Sequence, residues 1–157
     1  MAIKMAELLA KDIMTKKVIT ISKDATLAEL AKLLIKNKIS GVPIVDEKEE
    51  LVGIVTEADL IIKESNLPFP LSFSFAFLVS YESYTKSIKE YLETRVEEVM
   101  STNVKTARED MPISKVVNIM INNNINRLPI LNNDGKLTGI ITRADIVKSI
   151  IKKSKKK

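Results

Sequence analysis

The chain has 157 residues, a formal net charge of +5, 45% hydrophobic and 29% charged residues, and no Cys, His or Trp. Without Cys or His there is no disulfide framework, no Cys/His metal centre, no usual general base and no thiol nucleophile, although carboxylate metal sites stay open. The start of the chain lacks the order of a signal peptide, and the longest apolar run, Pro68–Val79, holds two serines and is shorter than a membrane span, so a cytoplasmic protein is expected.

The first element in chain order is a short strand at Val18–Ile21, where apolar and polar residues alternate. A helix follows, with Leu27, Leu30, Ala31 and Leu34 on one face and Thr26-x-x-Glu29 as a capping box at its start. Val42–Val45 and Leu51–Val55 then read as a hairpin around Asp46–Glu50, and a last helix opens near Thr56 and carries Leu60, Ile61 and Ile62. Phe69, Phe73, Phe75, Phe77 and Tyr81 fall on alternate positions, with Leu71 and Val79 filling the gaps, so 69–81 is predicted as a strand, either packed on the first repeat or part of an interface. Tyr84 to Glu98 reads as a connecting helix.

The opening pattern then returns. Val104–Ala107 is the strand, Pro112 opens a helix with Ile113, Val116, Val117 and Met120 on one face, and Leu128–Leu131 with Leu137–Ile141 forms a hairpin around Asn132–Gly135. A last helix from Thr142 carries Ile146, Val147 and Ile150. Pro43 maps to Pro129, an offset of 129 − 43 = 86, and residues 12–60 overlie 98–146 at that offset without a gap. The chain therefore holds two copies of a β-α-β-β-α unit of roughly 50 residues, each too small to be secure alone.

The hydrophobic-Pro-Ile segments, Val42-Pro-Ile-Val45 and Leu128-Pro-Ile-Leu131, and the Gly-Ile-hydrophobic-Thr-x-Ala-Asp phrases, Gly53 to Asp59 and Gly139 to Asp145, resemble those of CBS domains. The tandem arrangement is similar to a Bateman module. The resemblance implies an α/β (α+β) fold of two repeats packed through their sheets with pseudo-two-fold symmetry. The expected divisions are 8–65 for the first repeat, 66–93 for the aromatic insertion and connecting helix, 94–151 for the second repeat, and 152–157 for a flexible lysine tail.

Thr56-x-x-Asp59 and Thr142-x-x-Asp145 each read in two ways. They are capping boxes, and they also lie where a strand delivers the chain to a helix N-terminus, whose free N–H groups attract a phosphate. By resemblance, each Thr lies near a ligand's phosphate and each Asp accepts from the ribose hydroxyls. Arg127 heads a strand where a guanidinium meets phosphate oxygens or simply solvent, and its counterpart is Gly41, so the two repeats are not expected to act equally. The resemblance also implies that the backbone of Ile19-Thr20 and of Lys105-Thr106 lines an adenine pocket, with Val42 or Leu128 against the ring. Pro43 and Pro129 are expected to be structural, at a sheet edge.

Five of the positive charges are Lys152, Lys153, Lys155, Lys156 and Lys157, which leaves zero on the rest, so the folded body is expected not to be basic. Lys, Glu and Ile are plentiful, a bias of thermophile proteins, although the many Asn residues argue the other way. No catalytic constellation is present. The reading is a non-enzymatic regulatory module that requires no cofactor and, by resemblance, senses AMP, ADP, ATP or S-adenosylmethionine in clefts between the repeats, as a homodimer that signals to a regulated protein. The alternatives are nucleic-acid binding through the basic tail and a purely structural dimerisation module.

Overall fold

The computed structural model describes residues 8–62 and 86–155, so the alternation over 69–81 lies outside the described residues. The protein is α/β and divides into two compact units, Ile19–Val104 and Met1–Val18 with Lys105–Lys157.

In the first unit, β1 (Ile21–Ser22) leads to α2 (Leu27–Asn37), β2 (Gly41–Val45), β3 (Leu51–Thr56), α3 (Glu57–Ile62) and α4 (Lys86–Glu93). The sheet order is β1-β2-β3, with β1 parallel and β3 antiparallel to β2. Leu27, Leu30 and Leu34 of α2 bury against Val42, Ile44 and Val55, so the 3.6-residue apolar stripe of the helix meets the inward face of the sheet. The second unit repeats this plan with α1 (Ala10–Ile13), β4 (Ala107–Arg108), α5 (Ile113–Asn122), β5 (Arg127–Leu131), β6 (Leu137–Thr142) and α6 (Arg143–Ser154). Its core joins Ile113, Val116 and Met120 to Leu128, Ile130 and Ile141.

Each first strand begins three residues later than the apolar alternation predicts. Only Ile21 and Ser22 reach register with β2, opposite Ile44 and Val45, and only Ala107 and Arg108 do so with β5. The alternation reported burial instead, since Ile19 packs on the core without joining the ladder. The connecting helix is also shorter than expected and ends at Glu93. Arg95 turns extended to bridge Thr26, and Val96–Glu98 forms a separate 3-10 turn.

Pro43 and Pro129 were expected at an edge, but β2 and β5 are the central strands. They are tolerated because Ile54, opposite Pro43, exchanges both of its backbone hydrogen bonds with Ser101, at 3.0 and 2.9 Å. The proline's missing donor therefore faces the β1 side, upstream of the point where β1 begins. Ile140, opposite Pro129, bonds Thr15 in the same way at 2.9 and 3.1 Å.

These bonds belong to two straps. Residues 94–101 close the first unit, with Leu27 N–H donating to Thr94 O, Val96 N–H to Ala25 O and Glu97 N–H to Lys23 O. Residues 8–15 close the second at the positions 86 residues away, through Ile113 to Leu8, Ala10 to Met111 and Lys11 to Glu109. The segment that precedes each repeat in sequence thus completes the other unit. In the first unit the strap carries further charge, with Arg95 Nη1 3.6 Å from Asp24 and Glu97 Oε2 3.9 Å from Lys23 Nζ. These pairs are exposed and secondary to the backbone bonds.

The net charge divides unevenly between the units. Ile19–Val104 carries nine Lys/Arg against fourteen Asp/Glu, a net of −5, while the other unit carries sixteen against six, a net of +10. The expected neutrality of the body was therefore an average of two opposite signs. Nor does the lysine-rich segment begin as a tail, because α6 runs to Ser154 and holds Lys152 and Lys153 in its last turn, where cations meet the negative end of the helix dipole.

The hairpin turns show what the two copies share and where they differ. Glu49 and Gly135, which correspond, both adopt positive φ, at 60° and 78°. At the turn entrance one oxygen of Asp46 accepts from the N–H groups of Lys48 and Glu50, each at 2.9 Å, and Asn132 does the same for Asp134 and Lys136. The Glu50 N–H, with that of Lys48, holds the Asp46 carboxyl below its ordinary range. A lowered folded pKa gives stability that is present above the unfolded value and is lost as pH falls through the folded one. Asp46→Asn should keep the turn and lose this pH-dependent stability, so the wild-type protein should lose more urea resistance between pH 7 and pH 3 than the variant. Parallel pH profiles for the two would rule this out.

Gly53 and Gly139 are required by close approach. A Cβ at Gly53 would overlap the Met100 thioether, with Cγ at 3.0 Å, and one at Gly139 would overlap that of Met14, with Cγ at 2.7 Å. Gly139→Ala should destabilise by about 1–3 kcal/mol through overpacking, and Met14→Ala in the same chain should recover part of that loss in urea melts. A single variant as stable as wild type would show that the strap does not press on this site.

Candidate functional site

At the open end of each hairpin the last strand runs directly into a helix. Thr56 ends β3 and Thr142 ends β6, both in register with the first residue of the preceding strand, Gly41 for Thr56 and Arg127 for Thr142. The junction is closed by Glu57 N–H donating to Ser40 O at 2.9 Å and by Arg143 N–H donating to Asn126 O at 3.1 Å. Threonine suits both tasks here, since its β-branched backbone is extended and its hydroxyl caps a helix.

In the first unit the Thr56 N–H and hydroxyl donate to Asp59 Oδ2 at 2.8 and 3.2 Å. In the second the Thr142 N–H and hydroxyl donate to Asp145 Oδ2, both at 2.9 Å, and the Asp145 N–H returns a bond to the hydroxyl at 3.3 Å. The capping box expected at Thr142 is therefore complete, and at Thr56 the Asp59 carboxylate takes its part of the box. Both caps use Oδ2, so Oδ1 of each half-buried acid is not spent on them, and capping is compatible with accepting a bond from a ligand hydroxyl.

The structure brings Arg127, Thr142 and Asp145 together at one hairpin end, and Gly41, Thr56 and Asp59 at the other. Arg127 is half-buried, with its Nη1 withdrawn from solvent. Ile19-Thr20 and Lys105-Thr106 are irregular segments leading into β1 and β4. Because those strands run parallel to β2 and β5 and join them late, these segments arrive from the hairpin end that holds the Thr and Asp residues. The side chains of Val42 and Leu128 are fully buried in their cores, so a ring would meet them only by displacing core neighbours.

One residue pair escaped the sequence reading. The first residue of the last helix is Glu57 in one copy and Arg143 in the other, both exposed. The signal lay inside the motif, as Thr-Glu-Ala-Asp against Thr-Arg-Ala-Asp. One junction thus presents Gly41 and Glu57 where the other presents Arg127 and Arg143. Among the described residues, no group of Asp and Glu is placed to hold a metal ion, and no helix is long and apolar enough to cross a membrane.

A family model of the CBS domain matches residues 10–65 and 96–152. The chain belongs to the CBS domain family. It carries the domain twice, as a tandem CBS pair. It is 37% identical over 155 residues to uncharacterized protein MJ1426 of Methanocaldococcus jannaschii, covering 92% of each chain. It is also 32% identical over 139 residues to inosine-5′-monophosphate dehydrogenase of the same organism, covering 88% of this chain but only 23% of that one. Among solved structures it is similar to the CBS domain pair of protein MJ0100 in complex with 5′-methylthioadenosine and S-adenosyl-L-methionine. The TM-score is 0.70 at 33% identity, covering 93% of this chain and 98% of that one.

Within this CBS pair, the Thr142 cap has all three of its bonds in place. Thr142→Ala should cost about 1 kcal/mol of stability, measured by urea unfolding without ligand. A change below a few tenths would mean that the cap is not limiting for α6.

Proposed function

We propose that this CBS pair is a cytoplasmic, non-enzymatic regulatory module that senses an adenosyl-containing ligand at its two strand-to-helix junctions. The observation that carries the reading is the repeated junction itself, a Thr and an Asp held together at a helix start, with Arg127 in register with Thr142 in one copy. The complex of the MJ0100 pair with 5′-methylthioadenosine and S-adenosylmethionine supports adenosyl chemistry. Asp145 and Asp59 would accept from the ribose diol, and the helix N-terminus with Arg127 would take an anionic group in the second unit. Ile19-Thr20 and Lys105-Thr106 would line the base through their backbone. Gly41 and Glu57 in place of the two arginines favour a ligand with less negative charge in the first unit.

Homodimerisation belongs to the same proposal. Ile35 of α2 and Ile121 of α5 occupy corresponding positions and are 40% and 68% exposed, an apolar surface that a second copy would cover. A partner protein would read ligand occupancy as a shift between conformations.

A thermal-shift panel of 5′-methylthioadenosine, S-adenosylmethionine, AMP, ADP and ATP tests the reading. A ligand at 100-fold over its dissociation constant adds about 2.7 kcal/mol, which is roughly 5–10 °C for a chain of this size. Asp145→Ala should weaken the best ligand by about 10- to 150-fold, the loss of a charge-assisted bond, and Arg127→Ala should weaken ADP and ATP more than 5′-methylthioadenosine. If no member of the panel moves the midpoint at saturation, the sensor reading fails.

A further inference from the structure

The unit that carries +10 does not spread its charge evenly. Lys148 and Lys152 of α6 and its C-cap residue Lys155 are exposed at spacings of four and three residues, which puts them along one side of the helix. Helix α1 packs against α6 in the same unit and exposes Lys11. Lys16 and Lys17, also exposed, leave the bridge that Thr15 makes with Ile140, just before α6 begins. Of the acids nearby, Asp12 is exposed and accepts from the Leu9 N–H at 2.8 Å, while Asp145, which accepts from the Thr142 N–H at 2.9 Å, and Glu109, beside Lys11, are half-buried. No Asp or Glu occurs in residues 146–157. The helix dipole accounts for cations in the last turn of α6 but not for Lys148, Lys11, Lys16 or Lys17.

We propose that this face binds the phosphate backbone of nucleic acid without reading its sequence. The partner must be a dense polyanion, because in residues 8–17 and 143–155 six exposed lysines stand against one exposed acid, Asp12. The exposed apolar residues beside the lysines on α6 are Val147 and Ile151, with no aromatic residue between 143 and 154. That is too little apolar surface to insert into a lipid headgroup layer or to anchor a protein interface. Nor does α6 carry Asn or Gln, the side chains that read adenine edges, so contact is to phosphate alone.

The test is fluorescence anisotropy of the full chain with a labelled 20-base-pair duplex of arbitrary sequence, and with a second duplex of scrambled sequence, between 50 and 200 mM KCl. Both duplexes should bind alike, and affinity should fall about 100-fold or more over that range, as expected for four or more neutralised phosphates. Lys148→Glu with Lys152→Glu should reduce low-salt affinity at least 10-fold while leaving the far-ultraviolet circular dichroism in place and lowering the melting midpoint by at most a few degrees, through the lost last-turn cation. If that variant does not fold, Lys11→Glu with Lys16→Glu reads the same face from α1 and the strap. No binding at 50 mM KCl would overturn the proposal, as would binding that both folded double variants retain. So would retention on phosphatidylglycerol vesicles but not on the duplexes. Self-association abolished by the substitutions, without duplex binding, would also overturn it by assigning the face to the acidic unit of a second copy.

Discussion

The contact on which each unit depends is made by a segment distant in sequence, the strap that closes the outer edge of its hairpin. A three-stranded sheet under one helix buries little, and β3 and β6 would expose a row of unpaired backbone groups. Ser101 and Thr15 take up that edge, and Met100 and Met14 lie against Gly53 and Gly139, where any side chain would collide with them. The glycine, the methionine and the bridge form one device, present twice at the 86-residue offset. Closing the second unit requires residue 15 to meet residue 140. The entropy of such a closure grows only slowly with the length of the loop, so the distance along the chain is no great obstacle.

The same frame carries opposite electrostatics. The strand register sets Gly41 beside Thr56 and Arg127 beside Thr142, and the next helical residue is Glu57 in one copy and Arg143 in the other. The unit charges of −5 and +10 have the same signs as this local difference. Backbone geometry has been kept between the copies, down to the positive φ of Lys38 and Asn124, while the charged side chains have diverged. The fold supplies the junction, and under the proposed function the side chains around it would set which ligand charge it favours.

What the sequence made legible was local. The α2 and α5 helices, both hairpins and the Thr–Asp caps follow from periodicity, turn chemistry and residues three apart, each of which acts within a few positions. The extents of β1 and β4 were not legible, because pairing depends on where β2 and β5 run, and an apolar residue such as Ile19 packs on the core without pairing. The straps were invisible for the same reason, as nothing near Met14 points to Gly139. The charge division was hidden differently. A net charge is a sum over the chain, and it hides the two signs until the sum is taken unit by unit. Arg143 was legible and overlooked, since it stands inside the motif that drew attention to its neighbours.

Helix α6 brings the two proposals onto one rigid element. Thr142 caps its start, Asp145 lies in its first turn, and Lys148, Lys152 and the C-cap Lys155 are exposed along it. At 1.5 Å per residue, Asp145 and Lys152 are roughly 10 Å apart along the axis. At physiological ionic strength the screening length is about 8 Å, so phosphate charges at the helix start are already attenuated at the distal lysines. Lys148 lies within that length, and Lys152 and Lys155 do not. An adenosyl ligand without phosphates would leave the lysine field almost unchanged, whereas a nucleoside triphosphate would weaken its near end only. Strong coupling between ligand and polyanion therefore requires the ligand to move α6 itself, because charge alone does not carry that far.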